Sequence, residues 1–210
     1  MTREEMRIKR ELTKEIEKKL LKPVSKRHGY KNISGIPYRV CDEFLYTIYI
    51  STMHNEIRLV INVKPLVIDN IFWEAFDMKE EAEKQPFSFH VIAAFVPHSH
   101  WLEDWRLPIS SVEQAEAVLE QAFTETDSKI AMYCEQIKTI QDFKKLLQGS
   151  EHINQLNCIL CDIAMGDYKE ALAKTKGELS KGHRGGFASI EGGDIYEYVQ
   201  RYCESHLINL

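Results

Sequence analysis

Apolar residues recur at mostly helical intervals over the first part of the chain, at Met6, Ile8, Leu12, Ile16, Leu20 and Leu21. Thr2 and Glu5 stand three residues apart at the start of this run, which is the spacing of a helical capping box. The pattern predicts a first helix that ends near Leu21, because Pro23 removes a backbone N–H and breaks or kinks a helix.

Four later segments are rich in the β-branched and aromatic residues that are typical of strands: 36–41, 44–50, 57–63 and 87–95. In the last segment the alternate apolar residues from Phe87 to Phe95 would share one face of a sheet. A short helix over 70–76 is expected between the third and fourth strands, with Asp69 as its N-cap.

The rest of the chain is helical in pattern. Ser111 with Gln114 predicts a second capping box, and a helix over 127–147 is expected to break near Thr139. Strands and helices are therefore segregated along the chain, which argues for an α+β fold and against a parallel sheet of βαβ units.

The order of elements predicts an N-terminal helix, a small antiparallel sheet of about four strands, and a helical C-terminal half. We expect an α+β core domain over residues 1–148. A C-terminal helical extension, residues 149–210, is expected to pack on this core.

Length and cysteine usage favour a cytoplasmic protein. The 210 residues contain no apolar stretch near the ~20 residues that span a membrane. The charged N-terminus lacks the apolar core of a secretory signal. The five cysteines are odd in number and widely spread, which predicts free thiols in a reducing compartment and no disulfide framework.

The charge is unevenly distributed. Residues 1–28 carry ten Lys and Arg against five Glu, whereas residues 74–127 are strongly acidic. A basic helix could follow a phosphate backbone. The basic residues alternate with Glu at four-residue spacing, which favours a solvated helix face and disfavours nucleic acid as a partner.

Two histidines one residue apart, His98 and His100, are the candidate metal ligands. On an extended chain both imidazoles could reach one ion, and Glu103 or Asp104 could add a carboxylate. Such a set would suit zinc and the activation of a water molecule for hydrolysis. The alternative is a strand that ends at Pro97 and leaves the histidines in an exposed turn, since no HExxH motif is present.

Two further motifs have simpler interpretations. Cys158 and Cys161 form a CxxC within a helical pattern, so we predict buried cysteines that act as small apolar residues. The glycine-rich segment 182–187 has no Walker pattern and no preceding strand, which favours a linker loop over a phosphate site. Asp194 and Glu197 then have the spacing of a cap for the last helix.

Gly166-Asp167-Tyr168, with Ala171 three residues further on, predicts a helical hairpin in which Gly166 ends one helix and Asp167 caps the next. The segment resembles the Gly-Asp/Asn-Tyr-x-x-Ala turn of tetratricopeptide repeats. The resemblance covers about one unit, and such arrays need at least three. It therefore implies the hairpin and no peptide-binding groove.

The first two thirds of the chain resemble a bacterial family of uncharacterised cytosolic proteins, a domain-of-unknown-function family. The resemblance rests on Leu21-Lys-Pro and His28-Gly-Tyr after an N-terminal helix, then paired strands, then the stretch from Trp101 to Leu107 before two helices. It implies an α+β domain with no established catalysis. Some families of this general kind lie near toxin genes as immunity proteins, which would imply a binding module.

Two functions follow as hypotheses. The first is a non-enzymatic protein-binding module, which binds an unidentified protein through an aromatic patch at Trp101 and Trp105. A homodimer that pairs through an exposed strand edge is compatible with this hypothesis. The second is a metal-dependent hydrolase that uses His98 and His100.

Overall fold

The architecture is α+β, as predicted. A computed structural model describes residues 2–53, 55–149, 151–189 and 192–208, and the side chains of all of these except 151–153. A helical N-terminus is followed by a five-stranded antiparallel sheet and then by helices. None of the helices in these residues is both long enough and apolar enough to cross a lipid bilayer.

The N-terminal helical arm consists of α1, Arg3–Thr13, a π-helical segment, Lys14–Leu20, and α2, Leu21–Arg27. The predicted capping box at Thr2 and Glu5 is confirmed, with both reciprocal hydrogen bonds present. The predicted end near Leu21 is wrong, because the arm continues through Pro23. The π-helical segment widens the turn just before the proline, where an α-helix would clash with its ring.

The five strands follow one another across the sheet in chain order. Their bounds are β1, Lys31–Ile33, β2, Ile36–Cys41, β3, Phe44–Thr52, β4, Glu56–Pro65, and β5, His100–Pro108. The first three predicted strands are confirmed as β2, β3 and β4. One residue of β5 bulges out, because the register against β4 shifts between Ile61 and Asn62.

The predicted fourth strand over 87–95 is wrong, since this segment contains the short helix α5, Ser88–Ile92. The Phe89 N–H donates to the Pro86 carbonyl, which closes the first turn. His90 then hydrogen-bonds a buried carboxylate, and that contact overrides an alternation that is strand-like in the sequence.

The other helices are α3, Leu66–Ala75, α4, Lys79–Glu83, α6, Ala115–Gln136, α7, Ile140–Leu146, α8, Glu151–Ala164, α9, Tyr168–Ser180, and α10, Ile195–Ile208. The predicted break near Thr139 is confirmed, because Thr139 caps α7. The predicted box of Ser111 with Gln114 is wrong, since the Gln114 side chain accepts from Ser110. Asp69 is not a cap, because α3 begins after Pro65 and includes Asp69.

The chain forms two compact units. The sheet unit comprises Met1–Val63 and Ser99–Gln136, and the helical unit comprises Lys64–His98 and Ile137–Leu210. The predicted division between 1–148 and 149–210 does not follow these units. The reason is that α3, early in the chain, packs against α8 and α10.

A charged cluster ties the N-terminal arm and β2 to α6 within the sheet unit. His28 lies at the end of α2, and its side chain is only 15% exposed. Its Nδ1 is 2.7 Å from Asp127 Oδ2 and its Nε2 is 2.8 Å from Glu120 Oε2. Tyr30 and Arg39 both donate to the other Asp127 oxygen.

Both ring nitrogens of His28 face carboxylate oxygens, so the bound form is the imidazolium, which donates twice. Burial acts to lower the pKa of His28, but the hydrogen bonds and charges of Asp127 and Glu120 outweigh it. The pKa of His28 is therefore raised above its ordinary value.

We expect the free energy of unfolding to depend on pH through this cluster. Because the folded-state pKa of His28 is raised, its contribution is fully present below about pH 6.5, the unfolded value. It is lost as the pH rises through the folded value. His28→Gln should cost about 1–3 kcal/mol at acidic pH and much less at pH 9, by urea denaturation across that range.

His98→Gln is the control for this measurement. The His98 imidazole is exposed, and no described residue hydrogen-bonds to it. A His28→Gln variant with the same pH profile as the wild type would contradict the assignment of the cluster.

Candidate functional site

The helical unit contains an open pocket of about 350 Å³. We call it the histidine pocket, and its lining includes His98, Asn157, Glu178, His183, Phe187 and Tyr196. These residues come from the end of α9, the start of α10, α8 and two loops. Pockets with a few convergent polar groups are the usual location of small-molecule sites.

The end of α9 positions His183 over Glu178. Gly182 adopts a φ of +77°, which lets the chain leave the helix in a left-handed turn. The N–H of Gly182 then donates to the Leu179 carbonyl, and that of His183 donates to the Glu178 carbonyl, 3.1 Å away. This pair of bonds is a Schellman motif, so the backbone itself brings the imidazole back to the carboxylate.

The side chains of Glu178 and His183 form a hydrogen-bonded dyad. His183 Nδ1 is 2.6 Å from Glu178 Oε2. Lys181 donates to the other Glu178 oxygen, at 2.8 Å. Hydrogen bonds from Lys181 and then His183 lower the pKa of Glu178, so it is a carboxylate at neutral pH. A carboxylate that accepts from Nδ1–H leaves Nε2 of a neutral imidazole as a proton acceptor.

Tyr196 supplies a hydrogen-bond donor to the same pocket. Tyr196 as a whole is only 4% exposed, and no described residue hydrogen-bonds to its hydroxyl. Burial, and then the charge of Glu178, raise the pKa of Tyr196 to about 12. The phenol therefore remains protonated near neutral pH. A phenolic O–H at the wall of a pocket can donate to water or to a bound molecule.

His98 and Asn157 complete the polar lining. The buried amide of Asn157, on α8, donates to the His98 carbonyl at 2.8 Å. This bond holds the loop before β5, while the His98 ring lies 6.2 Å from the Phe187 ring centroid. α8 itself is kinked at Asn154, another residue of the lining.

The segment 182–187, predicted to be a linker, therefore contributes to the site. Its glycines shape a loop that brings His183, Gly185 and Phe187 to the pocket. A signal was present in the sequence, because glycine followed by histidine after a helix is compatible with a Schellman turn. The predicted Asp194 cap is confirmed, and its carboxylate accepts from the N–H groups of Tyr196 and Glu197.

The predicted metal ligands Glu103 and Asp104 point to opposite faces of β5. Glu103 accepts from Lys129 and Tyr133 of α6, at 2.9 and 2.8 Å. Asp104 instead pairs with Arg58 of β4. One ion beside His100 could not reach both carboxylates.

In the part of the chain that the structure describes, the side chains are not grouped in a way that would hold a metal ion. No three side chains among its His, Cys, Asp and Glu residues are placed to hold an ion. Of the predicted ligands, His98 belongs to the histidine pocket, and burial lowers the pKa of His100. Zinc binding by His98 and His100 stays a prediction.

The predicted partner patch at Trp101 and Trp105 is divided by the β5 bulge. Trp101 is opposite Asn62 and Trp105 is opposite Leu59, so the two indoles lie on opposite faces of the sheet. Trp101 is 64% exposed, with the Arg58 guanidinium 5.9 Å from its ring centroid. Trp105 is partly buried beside Lys129 of α6.

Both cysteines of the CxxC are buried, as predicted, within α8. Burial, followed by the neighbouring Cys158, raises the pKa of Cys161 to about 12. A thiol with such a pKa is almost entirely protonated at neutral pH, so it does not act as a nucleophile.

Comparisons with known proteins identify no relative of this chain. No protein-family model matches it. No curated protein and no solved structure matches it either.

Substitution of Gly185 is expected to damage the histidine pocket more than substitution of its neighbour. Both Gly185 and Gly186 have positive φ, so alanine costs about 1 kcal/mol at each through backbone strain. A Cβ on Gly185 would also clash with Ile195 and lie 3.2 Å from the Tyr196 ring, whereas a Cβ on Gly186 meets nothing within 4 Å.

Gly185→Ala should therefore lower the free energy of unfolding by a further ~1–3 kcal/mol relative to Gly186→Ala. Urea denaturation of the two variants measures this difference directly. Equal losses would mean that the loop does not pack against the start of α10 as described.

Proposed function

We propose that this chain is a hydrolase that binds a small neutral ester or amide in the histidine pocket. The observation that carries the proposal is the Glu178–His183 dyad in the same pocket as the phenol of Tyr196. A base oriented by a carboxylate and a fixed donor for a developing oxyanion are two recurring requirements of acyl hydrolysis.

The dyad would act on a water molecule. Nε2 of His183 removes a proton from the water as its oxygen attacks the substrate carbonyl carbon, and the carbonyl π electrons move to oxygen. Glu178 stabilises the resulting imidazolium through Nδ1. Collapse of the tetrahedral intermediate then breaks the bond to the leaving group, which takes the proton from His183.

Tyr196 would donate to the oxyanion that forms in this step. Its raised pKa keeps the phenolic proton in place at neutral pH. Because the hydroxyl has no protein partner among the described residues, a substrate oxygen can accept from it without displacing an existing bond.

A neutral substrate suits the charges of this pocket. Its described lining includes no Lys or Arg, and its buried acid is Glu178. Phosphoryl transfer relies on cationic clamps around the phosphate oxygens, which this lining does not provide. The buried carboxylate would also repel an anionic substrate.

Hydrolysis of p-nitrophenyl acetate tests the proposal. We expect saturable release of nitrophenolate by the wild type. His183→Asn should lower kcat/KM by about 10²-fold, the scale of general-base catalysis. Tyr196→Phe should lower kcat by about 10²-fold with little change in KM, because its bond forms with the oxyanion.

His206→Asn is the matched control, since His206 lies on α10, in contact with Tyr202 and Tyr168 and not in the lining of the pocket. Free imidazole also cleaves this ester slowly, so saturation and the difference between the two histidine variants are both required. A rate that stays linear in substrate and falls equally in both variants would refute the hydrolase.

Protein binding is the second candidate function, and the exposed indole of Trp101 favours it. The side chain lies on the edge strand β5, with Arg58 beside it. Trp and Arg are the residues that most often dominate binding interfaces. An immunity-like module or an edge-paired homodimer would use this surface, while the tetratricopeptide-like helical hairpin alone supplies no groove.

The five free cysteines fit a reducing compartment and support a cytoplasmic location.

Trp101→Ala should abolish such binding without loss of stability, because a 64% exposed side chain contributes little to the core. Sedimentation velocity detects a homodimer, and affinity capture from the native host detects another protein. We expect the wild type to form a complex and Trp101→Ala to form none. Met132→Ala, which changes another exposed apolar side chain, is the control and should still form the complex. A complex that survives Trp101→Ala would place the interface elsewhere.

A further inference from the structure

A second group of charged side chains in the helical unit is buried almost completely. Lys64, at the end of β4, is 2% exposed, and Asp69, in α3, is fully buried. Lys64 Nζ lies 2.9 and 2.8 Å from the two Asp69 oxygens. His90 Nδ1 is 2.8 Å from Asp69 Oδ2.

The arrangement fixes the proton on one nitrogen of His90. In the neutral imidazole, the hydrogen bond to Asp69 Oδ2 places the proton on Nδ1 and leaves Nε2 unprotonated. No described residue hydrogen-bonds to Nε2 of this ring. Nε2 is therefore a hydrogen-bond acceptor whose orientation is set by a buried carboxylate.

His90 lines a pocket of about 520 Å³, which we call the α3–α5 pocket. Its lining includes Asn70, Trp73 and Glu74, which lie on successive turns of α3. Glu83, Phe87 and His90 also line it. The His90 ring contacts those of Trp73 and Phe87, at centroid distances of 4.8 and 5.1 Å. One wall of this pocket is thus aromatic.

The lining of the α3–α5 pocket also includes two carboxylates, Glu74 and Glu83. Lys79, the basic residue in the lining, is paired with Glu74 at 3.2 Å. An aromatic wall, an imidazole acceptor and an excess of carboxylates together match a flat organic cation that carries N–H donors.

We propose that the α3–α5 pocket binds a small planar organic cation of the amidinium or guanidinium class. The cation stacks against the aromatic wall, donates one hydrogen bond to His90 Nε2, and pairs with Glu83 or Glu74. Asp69 and Lys64 do not touch the ligand but hold the imidazole in its accepting form. The site is separate from the histidine pocket, and binding there requires no hydrolytic activity.

Isothermal titration calorimetry with three probes of similar shape tests the charge requirement. The probes are benzamidinium, neutral benzamide and anionic benzoate. We expect benzamidinium to bind at one site per chain, benzamide to bind at least about tenfold more weakly, and benzoate not to bind. Absence of benzamidinium binding, or equal binding of benzoate, overturns the proposal.

Two variants locate the binding. His90→Phe keeps an aromatic ring but removes the acceptor, and it should weaken benzamidinium binding by about tenfold or more. Glu83→Gln changes an exposed side chain, so it tests the charge even if His90→Phe folds poorly, and it should weaken binding several-fold.

His183→Asn, in the histidine pocket, is the control and should bind benzamidinium as the wild type does. Binding that is lost in His183→Asn and retained in both His90→Phe and Glu83→Gln would place the cation in the other pocket and refute the assignment.

Discussion

The buried ion pair of Lys64 with Asp69 lies at the point where β4 ends and α3 begins. Taking two charges out of water costs several kcal/mol for each ion, and this cost is recovered only when the pair is close and its hydrogen bonds are complete. Desolvation accordingly lowers the pKa of Lys64, with the charge of Asp69 acting in the opposite direction. Pro65 sits between the two residues and caps α3, so strand, turn and helix must all have their present geometry for the pair to form.

Helix ends position two further histidines that face carboxylates, His28 and His183. Gly29 and Gly182 both adopt positive φ just after a helix, and each has a histidine next to it in sequence. The turn at Gly182 places His183 against Glu178, and the end of α2 places His28 between two carboxylates of α6. The two histidines differ in the number of ring nitrogens that are already hydrogen-bonded to a carboxylate. His28 uses both nitrogens in ion pairs, whereas His183 uses one, so only His183 can exchange a proton with a ligand.

Local sequence signals predicted much of the fold, because they act through neighbouring residues. The capping boxes at Thr2 and Asp194 and the β-branched runs of β3 and β4 are decided within a few positions. The segment 87–95 was mispredicted because its conformation depends on His90 reaching Asp69, 21 residues earlier. A periodic pattern carries no information about such a partner.

The candidate site was predictable only in part for the same reason. The spacing of His98 and His100 marks His98 as a candidate site residue. Glu178 and Tyr196, which line the same pocket, lie about 80 to 100 residues further along the chain. The β5 bulge had a comparable effect on the tryptophans, because one extra residue reverses the face on which Trp101 lies. Neither long-range contacts nor a single bulge leaves a clear signal in one sequence.

The hydroxyl of Tyr196 is a polar group of the histidine pocket that the packing of α10 does not require. A phenylalanine ring would fill the same space as the tyrosine ring, so the phenolic O–H serves hydrogen bonding and not packing. The Ile195 and Val199 side chains on the same helix are fully buried, so this end of α10 is already anchored by apolar packing. The hydroxyl adds nothing to that packing. It can donate to an acceptor in the pocket, and burial together with the Glu178 charge raises the pKa of the phenol, which keeps it protonated at neutral pH.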